Sequence, residues 1–228
     1  MLPPTAINEG PTVTPRPSAT VLLVRGRQPW ELLLMRRPGG ADFAPGAYVF
    51  PGGTVHDDDK GMDEIRTAAV RELFEEVGIL LARRGTRFAR ESDSERVRET
   101  IEKGKTFGEA LRELRLEPAF DRLVLFARWV TPAQLRRRYD ARFFLAHLPP
   151  HQVVRPQEGE VTDWLWIEPE AALASRDLTL VYATRAVLES VAPDKDAARL
   201  FSRARRLGDV PIVEPRIIQT DNGWEIVV

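Results

Sequence analysis

Three glutamates stand close together behind an arginine, with Glu72, Glu75 and Glu76 following Arg71. Residues 63–77 contain neither proline nor glycine and consist mostly of good helix formers, so the stretch is predicted to be a helix. Because a helix turns by about 100° per residue, Glu72 and Glu75 fall on one arc and Glu76 lies at its border. The three carboxylates therefore share one side of the predicted helix and repel one another.

A divalent cation would remove this repulsion, which otherwise raises the pKa of at least one of the three carboxyl groups. Ligation by carboxylate oxygens alone suits Mg²⁺ or Mn²⁺ rather than Zn²⁺. The alternative is an acidic helix face in solvent, which is the usual meaning of a generic pair of glutamates. The three glutamates alone leave both interpretations open.

The neighbouring residues indicate how the helix would be held. The arc beside the glutamates is apolar and should pack on a core, through Ile65, Ala69, Val70, Leu73, Phe74 and Val77. Gly78 stands where a left-handed C-cap is expected, so the helix should end there. Upstream, the apolar strand predicted at 47–50 leads into Gly52 and Gly53, a turn that can bring the backbone close to a ligand. A glycine needed only for a turn is the alternative at Gly53.

The stretch 71–79 resembles the Nudix (MutT-type) box, whose pattern is Arg-Glu-apolar-x-Glu-Glu-x-Gly-apolar. A Gly-Gly turn also lies upstream, as that family requires. Residues 112–114 repeat the first three letters, but no acid pair follows and Pro118 ends any helix, so that copy is predicted to be an ordinary amphipathic helix. Every defined position of the box is matched, by Arg71, Glu72, Leu73, Glu75, Glu76, Gly78 and Ile79.

Two features depart from the family's usual pattern. The family usually has a glutamate eight residues before the arginine, where this chain has Asp63, with Glu64 beside it. The 18-residue separation of Gly53 and Arg71 is longer than is common in the family. The extra residues are expected in the polar run 56–60, which is predicted to be a loop.

The resemblance implies an α/β fold, an α/β/α sandwich around a mixed β-sheet, here with an inserted helical segment. It implies hydrolysis of a diphosphate bond in a nucleoside diphosphate linked to another group, with Mg²⁺ or Mn²⁺ as cofactor. Arg71 is expected to orient Glu75 four residues on, and the general base is expected to be Glu72 or Glu160, with Glu158 behind them. The implied metal ligands are the Gly53 carbonyl and the carboxylates of Glu72, Glu75, Glu76 and Glu160.

The order of features outside the box resembles the acyl-CoA and CoA diphosphatase branch of the family. It includes Val49 to Gly53, the Trp-x-Thr-Pro stretch at 129–132, and an acidic loop that ends at Glu160-Val161. The resemblance implies CoA or acyl-CoA as substrate, giving 3′,5′-ADP and phosphopantetheine. The basic residues that could meet the 3′-phosphate are Arg36, Arg37 and Arg155.

Two other functions stay open from the sequence. One is hydrolysis of ADP-ribose or of a dinucleotide by the same chemistry. The other is nucleotide sensing without catalysis, although such proteins usually lose box carboxylates and this chain keeps all three. A comparison of substrates distinguishes the first alternative from CoA hydrolysis. Metal-dependent turnover distinguishes a sensor from an enzyme.

Composition gives no sign of a nucleic-acid or membrane protein, and the resemblance implies a small nucleotide-type molecule as the substrate. The net charge is −1, so the chain has no bulk attraction to nucleic acid or to a membrane surface. There is no cysteine, and the three histidines are scattered, which excludes a disulfide framework and argues against a zinc site. A cytoplasmic protein is expected, because no apolar run is long enough for a membrane span. A homodimer fits many members of the family, but nothing in the sequence defines an interface.

The chain is expected to consist of a flexible, proline-rich arm at 1–17 and one Nudix domain at 18–228. A charged segment at 83–118 is predicted to be an insertion with helices at 94–103 and 107–116. Trp164 and Trp166 share one face of a predicted strand, where they belong to the core or one of them stacks on an adenine ring. Further predictions are strands at 18–25, 30–36, 121–131 and 142–146, helices at 168–175, 181–191 and 194–207, and a terminal hairpin with its turn at 221–223.

Overall fold

The computed structural model describes residues 6–41, 44–61, 63–220 and 223–228. The helices are α1 (Glu64–Val77), α2 (Glu91–Glu102), α3 (Phe107–Glu113), α4 (Pro169–Ala174), α5 (Tyr182–Val191) and α6 (Ala197–Arg206). The strands are β1 (Arg16–Gly26), β2 (Trp30–Arg36), β3 (Tyr48–Val49), β4 (Gly52–Thr54), β5 (Ala82–Arg84), β6 (Arg87–Phe88), β7 (Glu117–Pro118), β8 (Val124–Val130), β9 (Tyr139–His147), β10 (Asp163–Ile167), β11 (Ile212–Val213), β12 (Arg216–Thr220) and β13 (Gly223–Val227).

The main sheet is mixed, as predicted. Its strand order is β10-β2-β1-β9-β8-β11, with β3 pairing β2 and β4 pairing β1. The central strand β1 runs parallel to β9 and antiparallel to β2 and β4. The pairing of β1 with β2 confirms the hairpin expected between the first two apolar runs, closed at Gly26 and Trp30.

Helices cover both faces of this sheet, which confirms the expected α/β/α sandwich. On one face, Leu73 of α1, Val97 of α2 and Leu111 of α3 share a core with alternate residues of β1 and β2. On the other face, Leu188 of α5 and Leu200 of α6 pack on the intervening residues of β1 and β2, which point to the opposite side of the sheet. Strands buried on both faces read as continuous apolar runs, which is why β1 and β2 are so evident in the sequence.

The inserted segment contains the two expected helices, with shifted ends, and a small sheet that the sequence did not predict. The strand order of that sheet is β6-β5-β7, and it joins the two ends of the segment. The rings of Phe74 in α1 and Phe107 in α3 lie 5.7 Å apart, so the insertion extends the layer that contains α1. The strands β8, β9 and β10 and the helices α4 to α6 match their predicted positions to within a few residues.

Both ends of the described chain pack against the region around Gln134. The Asn8 amide donates to the Gln134 carbonyl at 2.7 Å, and β1 begins at Arg16, two residues earlier than expected. At the other end, β12 and β13 form the predicted antiparallel hairpin, while its turn at Asp221 and Asn222 lies outside the described residues. Among the residues described here, no helix is long and apolar enough to cross a membrane.

Candidate catalytic and metal site

Helix α1 is fixed at both ends by local interactions. The Asp63 side chain accepts a hydrogen bond from the Arg66 amide at 3.1 Å and caps the first turn. Gly78 adopts the left-handed conformation, with φ of 73°, and its amide donates to the Phe74 carbonyl. This is the C-cap that the sequence predicted, and it ends α1 where the loop from residue 155 passes.

The Gly-Gly turn lies directly beneath α1. Gly52 and Gly53 pair with Thr20 and Ala19 of the central strand β1. A Cβ atom added to Gly53 would lie only 2.3 Å from an oxygen of the Glu72 carboxylate. The Glu72 carboxylate therefore rests against the bare backbone of the turn, in a space that only glycine leaves open.

Arg71 connects the glutamates to the turn. Its Nη1 donates to Glu72 at 2.9 Å and to Glu75 at 2.7 Å, and its Nη2 donates to the Thr54 carbonyl at 2.9 Å. Only 5% of the side chain is exposed. Burial alone would lower the pKa of Arg71, but hydrogen bonds to Asp59 and the charges of Glu72 and Glu75 raise it above its ordinary value. Arg71 is therefore a permanent cation that holds two of the three box carboxylates.

Asp59 is the principal residue of the site that sequence reasoning missed. It lies in a short 3-10 helix at Asp57–Asp59, where a loop was expected. Its two oxygens accept from Nε and Nη2 of Arg71, each at 2.9 Å, and Oδ2 also accepts from the His56 amide at 2.8 Å. Asp63, at the family's usual acidic position, instead caps α1 and pairs with Arg66.

Glu76 faces the other end of the Gly-Gly turn. Its carboxylate accepts from the Gly52 amide at 2.7 Å. Burial raises the pKa of Glu76 well above its ordinary value, and the charges of Glu72 and Glu160 add to this, whereas the Gly52 amide and Arg37 oppose it. Glu160 and Arg37 are thus close enough to Glu76 to act on it electrostatically.

The acidic loop reaches this position because it runs along the end of α1. The Arg155 amide donates to the Val77 carbonyl at 2.9 Å, and the Gln157 amide donates to the Glu76 carbonyl at 3.0 Å. These bonds use backbone carbonyls that the last turn of a helix leaves unpaired. They hold the loop beside the end of α1, where the charge of Glu160 acts on Glu76; Glu158 and Glu160 are both exposed.

The three arginines considered for the substrate lie in different places. Arg37 is the one whose charge acts on Glu76. The Arg36 guanidinium donates to the Gly46 carbonyl at 3.2 Å and lies 6.0 Å from the Tyr48 ring centre. Arg155 forms ion pairs with two glutamates of α2 in the insertion, Glu91 and Glu95.

Burial of the glutamates favours a cation at this site. Burial also raises the pKa of Glu72, against the neighbouring charge of Arg71. Two buried carboxylates and a backbone turn form an oxygen donor set of the kind that Mg²⁺ and Mn²⁺ prefer. Within the part of the chain that the structure describes, no three acidic or histidine side chains already converge as a metal group. Arg71 and the Gly52 amide hold the carboxylates in hydrogen bonds instead.

Comparison with known proteins agrees with this geometry. The family model described as the NUDT19 Nudix domain matches residues 63–183, a range that contains the whole of α1 and the acidic loop. The fold and the box define a Nudix-type chain. This chain belongs to the family of the NUDT19 Nudix domain, within the Nudix hydrolases.

Individual relatives share less than a third of their aligned residues with this chain. "Putative nudix hydrolase 7" of Caenorhabditis elegans is 31% identical over 155 residues, which cover 67% of this chain and 52% of that protein. "Acyl-coenzyme A diphosphatase NUDT19" of Xenopus laevis is 25% identical over 205 residues, covering 63% of this chain and 54% of that protein. The chain therefore spans just over half the length of these two relatives.

Solved structures give the same fold. A NUDIX hydrolase from Alicyclobacillus acidocaldarius superposes with a TM-score of 0.69 at 27% sequence identity. The superposition covers 83% of this chain and 96% of that one. The similarity extends beyond the box to most of the sandwich.

Proposed function

We propose that this chain hydrolyses the diphosphate bond of a nucleoside diphosphate linked to another group, with Mg²⁺ or Mn²⁺ as cofactor. The observation that carries the proposal is the position of the Glu72 carboxylate, which rests on the Gly53 backbone while Arg71 holds it from the other side. A buried carboxylate thus lies directly against the main chain of the turn, whose Gly53 carbonyl we propose as a further ligand. Membership of the Nudix hydrolases supports the same chemistry.

The proposed metal ligands are those expected from the sequence. They are the carbonyl of Gly53 and the carboxylates of Glu72, Glu75, Glu76 and Glu160. A divalent cation bound by them would activate a water molecule and neutralise charge on the diphosphate. Arg71 contributes by position, since its ion pairs set the direction of Glu72 and Glu75 before any ligand arrives.

A general base must take a proton from the attacking water. Glu72 and Glu160 are the two candidates, and they differ in setting. Glu72 is buried and has a raised pKa, whereas Glu160 lies on an exposed loop whose charge reaches Glu76. Glu158 is a weaker candidate: both residues are exposed, but Glu160 is the one whose charge acts on Glu76.

We further propose CoA or acyl-CoA as the substrate, with 3′,5′-ADP and phosphopantetheine as products. The relatives in Xenopus laevis and Gallus gallus named acyl-coenzyme A diphosphatases support this choice, at 25% and 27% identity. Arg37 is our candidate for binding a substrate phosphate, because its charge acts on Glu76. Arg155 fits this role less well, since Glu91 and Glu95 already bind its guanidinium.

A product assay tests the proposal. Purified protein with Mg²⁺ or Mn²⁺ is given CoA, an acyl-CoA, ADP-ribose, NADH, a dinucleoside polyphosphate and deoxynucleoside triphosphates. Preferential release of 3′,5′-ADP from CoA supports both the chemistry and the substrate. Turnover only of ADP-ribose or of another nucleotide keeps the chemistry and overturns the choice of CoA. Absence of any metal-dependent turnover, together with tight nucleotide binding, overturns hydrolysis in favour of sensing.

A further inference from the structure

Trp164 lies on the same face of the sheet as the box glutamates. It belongs to β10, which forms one edge of the main sheet. Its partner across the strands is Met35, which in turn pairs with Val49 of β3. Residues paired in this way project to the same face, and Met35 is part of the core beneath α1. The Trp164 side chain therefore projects to the α1 face.

The backbone of Trp164 also lies near the residues that carry the glutamate site. Neighbouring strands are about 4.8 Å apart, so Trp164 lies about 10 Å across the sheet from Val49. Val49 is followed three residues later by Gly52, whose amide binds Glu76. Along the chain, Glu160 precedes Trp164 by four residues, which span at most about 14 Å. One nucleotide can bridge such a separation, with its phosphates at the carboxylates and its base at the ring.

The other tryptophans whose side chains are described have specific contacts. Trp30 is buried and donates from its indole nitrogen to a backbone carbonyl at 2.6 Å. Trp129 packs edge-on against a tyrosine ring, and the Arg25 guanidinium covers Trp166 at 4.6 Å from its ring centre. Trp164, in contrast, leaves 36% of its surface exposed. Of the pair considered from the sequence, Trp164 is thus the one that offers a ring to a ligand.

The backbone that carries this ring is held in place without a ligand. Asp163 accepts the Trp164 amide at 2.8 Å with one oxygen and the Tyr48 hydroxyl at 2.6 Å with the other. One step earlier, the Thr162 amide donates to the Arg36 carbonyl at 3.0 Å. A backbone held in this way need not be ordered when a ligand arrives, which favours affinity.

We propose that Trp164 is the stacking surface for the nucleobase of the substrate, whose diphosphate extends from there to the box glutamates. The inference rests on the proposed function and adds to it the place where the base is bound. An aromatic ring stacks on every base, so this contact contributes affinity more than choice of base. The choice among substrates would then depend on contacts with the part of the substrate that lies beyond the diphosphate.

The test is equilibrium binding, because it needs no turnover. Calorimetry with 3′,5′-ADP and with AMP is carried out on the wild type, Trp164→Ala and Trp164→Phe. Trp166→Phe is the matched control, since it changes a tryptophan on the same strand and face that Arg25 already covers. Trp164→Ala is expected to weaken both ligands by about 10- to 100-fold, the effect of losing one base–aromatic stack. Trp164→Phe keeps a ring and should retain most of the affinity.

Ribose 5-phosphate, which lacks the base, provides the internal reference. Trp164→Ala should bind it as the wild type does, whereas a distorted site would weaken all three ligands alike. In steady-state hydrolysis the same variant should raise KM and leave kcat nearly unchanged, because the lost contact is made equally in ground and transition states. If Trp164→Ala does not fold, Trp164→Gln carries the same comparison.

Each outcome decides one claim. AMP binding by Trp164→Ala within about twofold of the wild type overturns the stacking surface, whatever the substrate proves to be. An equal loss in Trp166→Phe also overturns it. If Trp164→Ala loses AMP binding and the wild type hydrolyses no CoA, the stacking surface stands and the CoA substrate alone is overturned.

Discussion

Asp59 binds Arg71 through both carboxylate oxygens, each 2.9 Å from a guanidinium nitrogen, and only 1% of the Asp59 side chain is exposed. The guanidinium holds Glu72 and Glu75 with its remaining nitrogen. Asp59 thus fixes the group that directs two of the box carboxylates. It does so from the short 3-10 helix before α1, four residues away from the position at which the family usually carries its acid.

Asp59→Asn is expected to lower both stability and turnover. Removing one partner of a buried ion pair costs about 3 kcal/mol, and a loosened Arg71 would misplace the carboxylates. We expect kcat to fall by about tenfold or more with KM little changed, because positioning acts on the transition state. Urea unfolding and steady-state kinetics measure the two effects.

Asp63→Asn is the matched control for Asp59→Asn. Asparagine caps a helix about as well as aspartate, so this change should cost less than about 0.5 kcal/mol and leave kcat unchanged. A larger loss in kcat for Asp63→Asn than for Asp59→Asn would show that the positioning role belongs to Asp63 instead.

Gly53→Ala should impair the site without unfolding the protein. The added Cβ would lie 2.3 Å from the Glu72 carboxylate, which must then move away from the turn. We expect turnover to fall by about tenfold or more and the Mg²⁺ concentration required for half-maximal rate to rise. Metal titrations of the initial rate provide the measurement.

Gly108→Ala in α3 is the matched glycine control. Nothing lies within 4 Å of the Cβ it would gain, and alanine is a better helix former than glycine. It should leave the metal requirement unchanged and stabilise the fold by up to about 1 kcal/mol. Wild-type kinetics in Gly53→Ala would show that the Gly53–Glu72 contact is unimportant.

Glu160→Gln tests the loop candidate for the general base, and a Mg²⁺ titration of the same variant separates this role from metal binding, which would raise the Mg²⁺ concentration required for half-maximal rate. If Glu160 takes the proton, kcat should fall by about 100-fold or more, within the range that general-base catalysis contributes. Glu158→Gln is the control from the same loop: it is exposed as Glu160 is, but Glu160 is the residue whose charge acts on Glu76, so Glu158→Gln should stay close to the wild type. An unchanged kcat and an unchanged metal requirement in Glu160→Gln would exclude Glu160 both as the base and as a metal ligand, and would leave Glu72 as the base.

Asp140 should make stability depend on pH. Its carboxylate accepts from Nε and Nη2 of Arg128 at 2.8 and 2.7 Å, and these bonds lower the pKa of Asp140. A lowered pKa gives stabilisation that is complete above the unfolded pKa, near 4, and is lost as pH falls through the folded value. Asp140→Asn should therefore cost about 1 kcal/mol at pH 7 and less at pH 3. Urea unfolding at pH 7 and at pH 3 measures the effect. An equal difference in unfolding free energy between the wild type and Asp140→Asn at both pH values would refute the prediction.

Local patterns are sufficient to predict α1. The helical wheel separates the apolar arc from the glutamates, and Gly78 marks the residue at which the helix ends. The long apolar runs identify β1 and β2 for the same reason, since each is buried along most of its length. These elements are determined by neighbouring residues, which is the information that a single sequence contains.

Contacts between distant residues are not predictable in this way. Asp59 stands beside Asp57 and Asp58 in one polar run, and no local feature shows which of them binds Arg71. The two- and three-residue strands of the insertion are too short to produce an alternating pattern. Arg155 was considered for the substrate, yet its partners Glu91 and Glu95 come from a helix more than 50 residues earlier in the chain.

The most direct test of the central claim is the turnover of Glu75→Gln and Glu76→Gln with Mg²⁺ on the substrate that the product assay selects. Glu113→Gln is the control, because it changes the exposed glutamate of the second Arg-Glu-Leu stretch, in α3. We predict a loss of kcat of about 100-fold or more in both box variants and wild-type turnover in Glu113→Gln. Near-wild-type turnover in Glu75→Gln and Glu76→Gln would contradict the assignment of the box glutamates as the metal-dependent hydrolytic site.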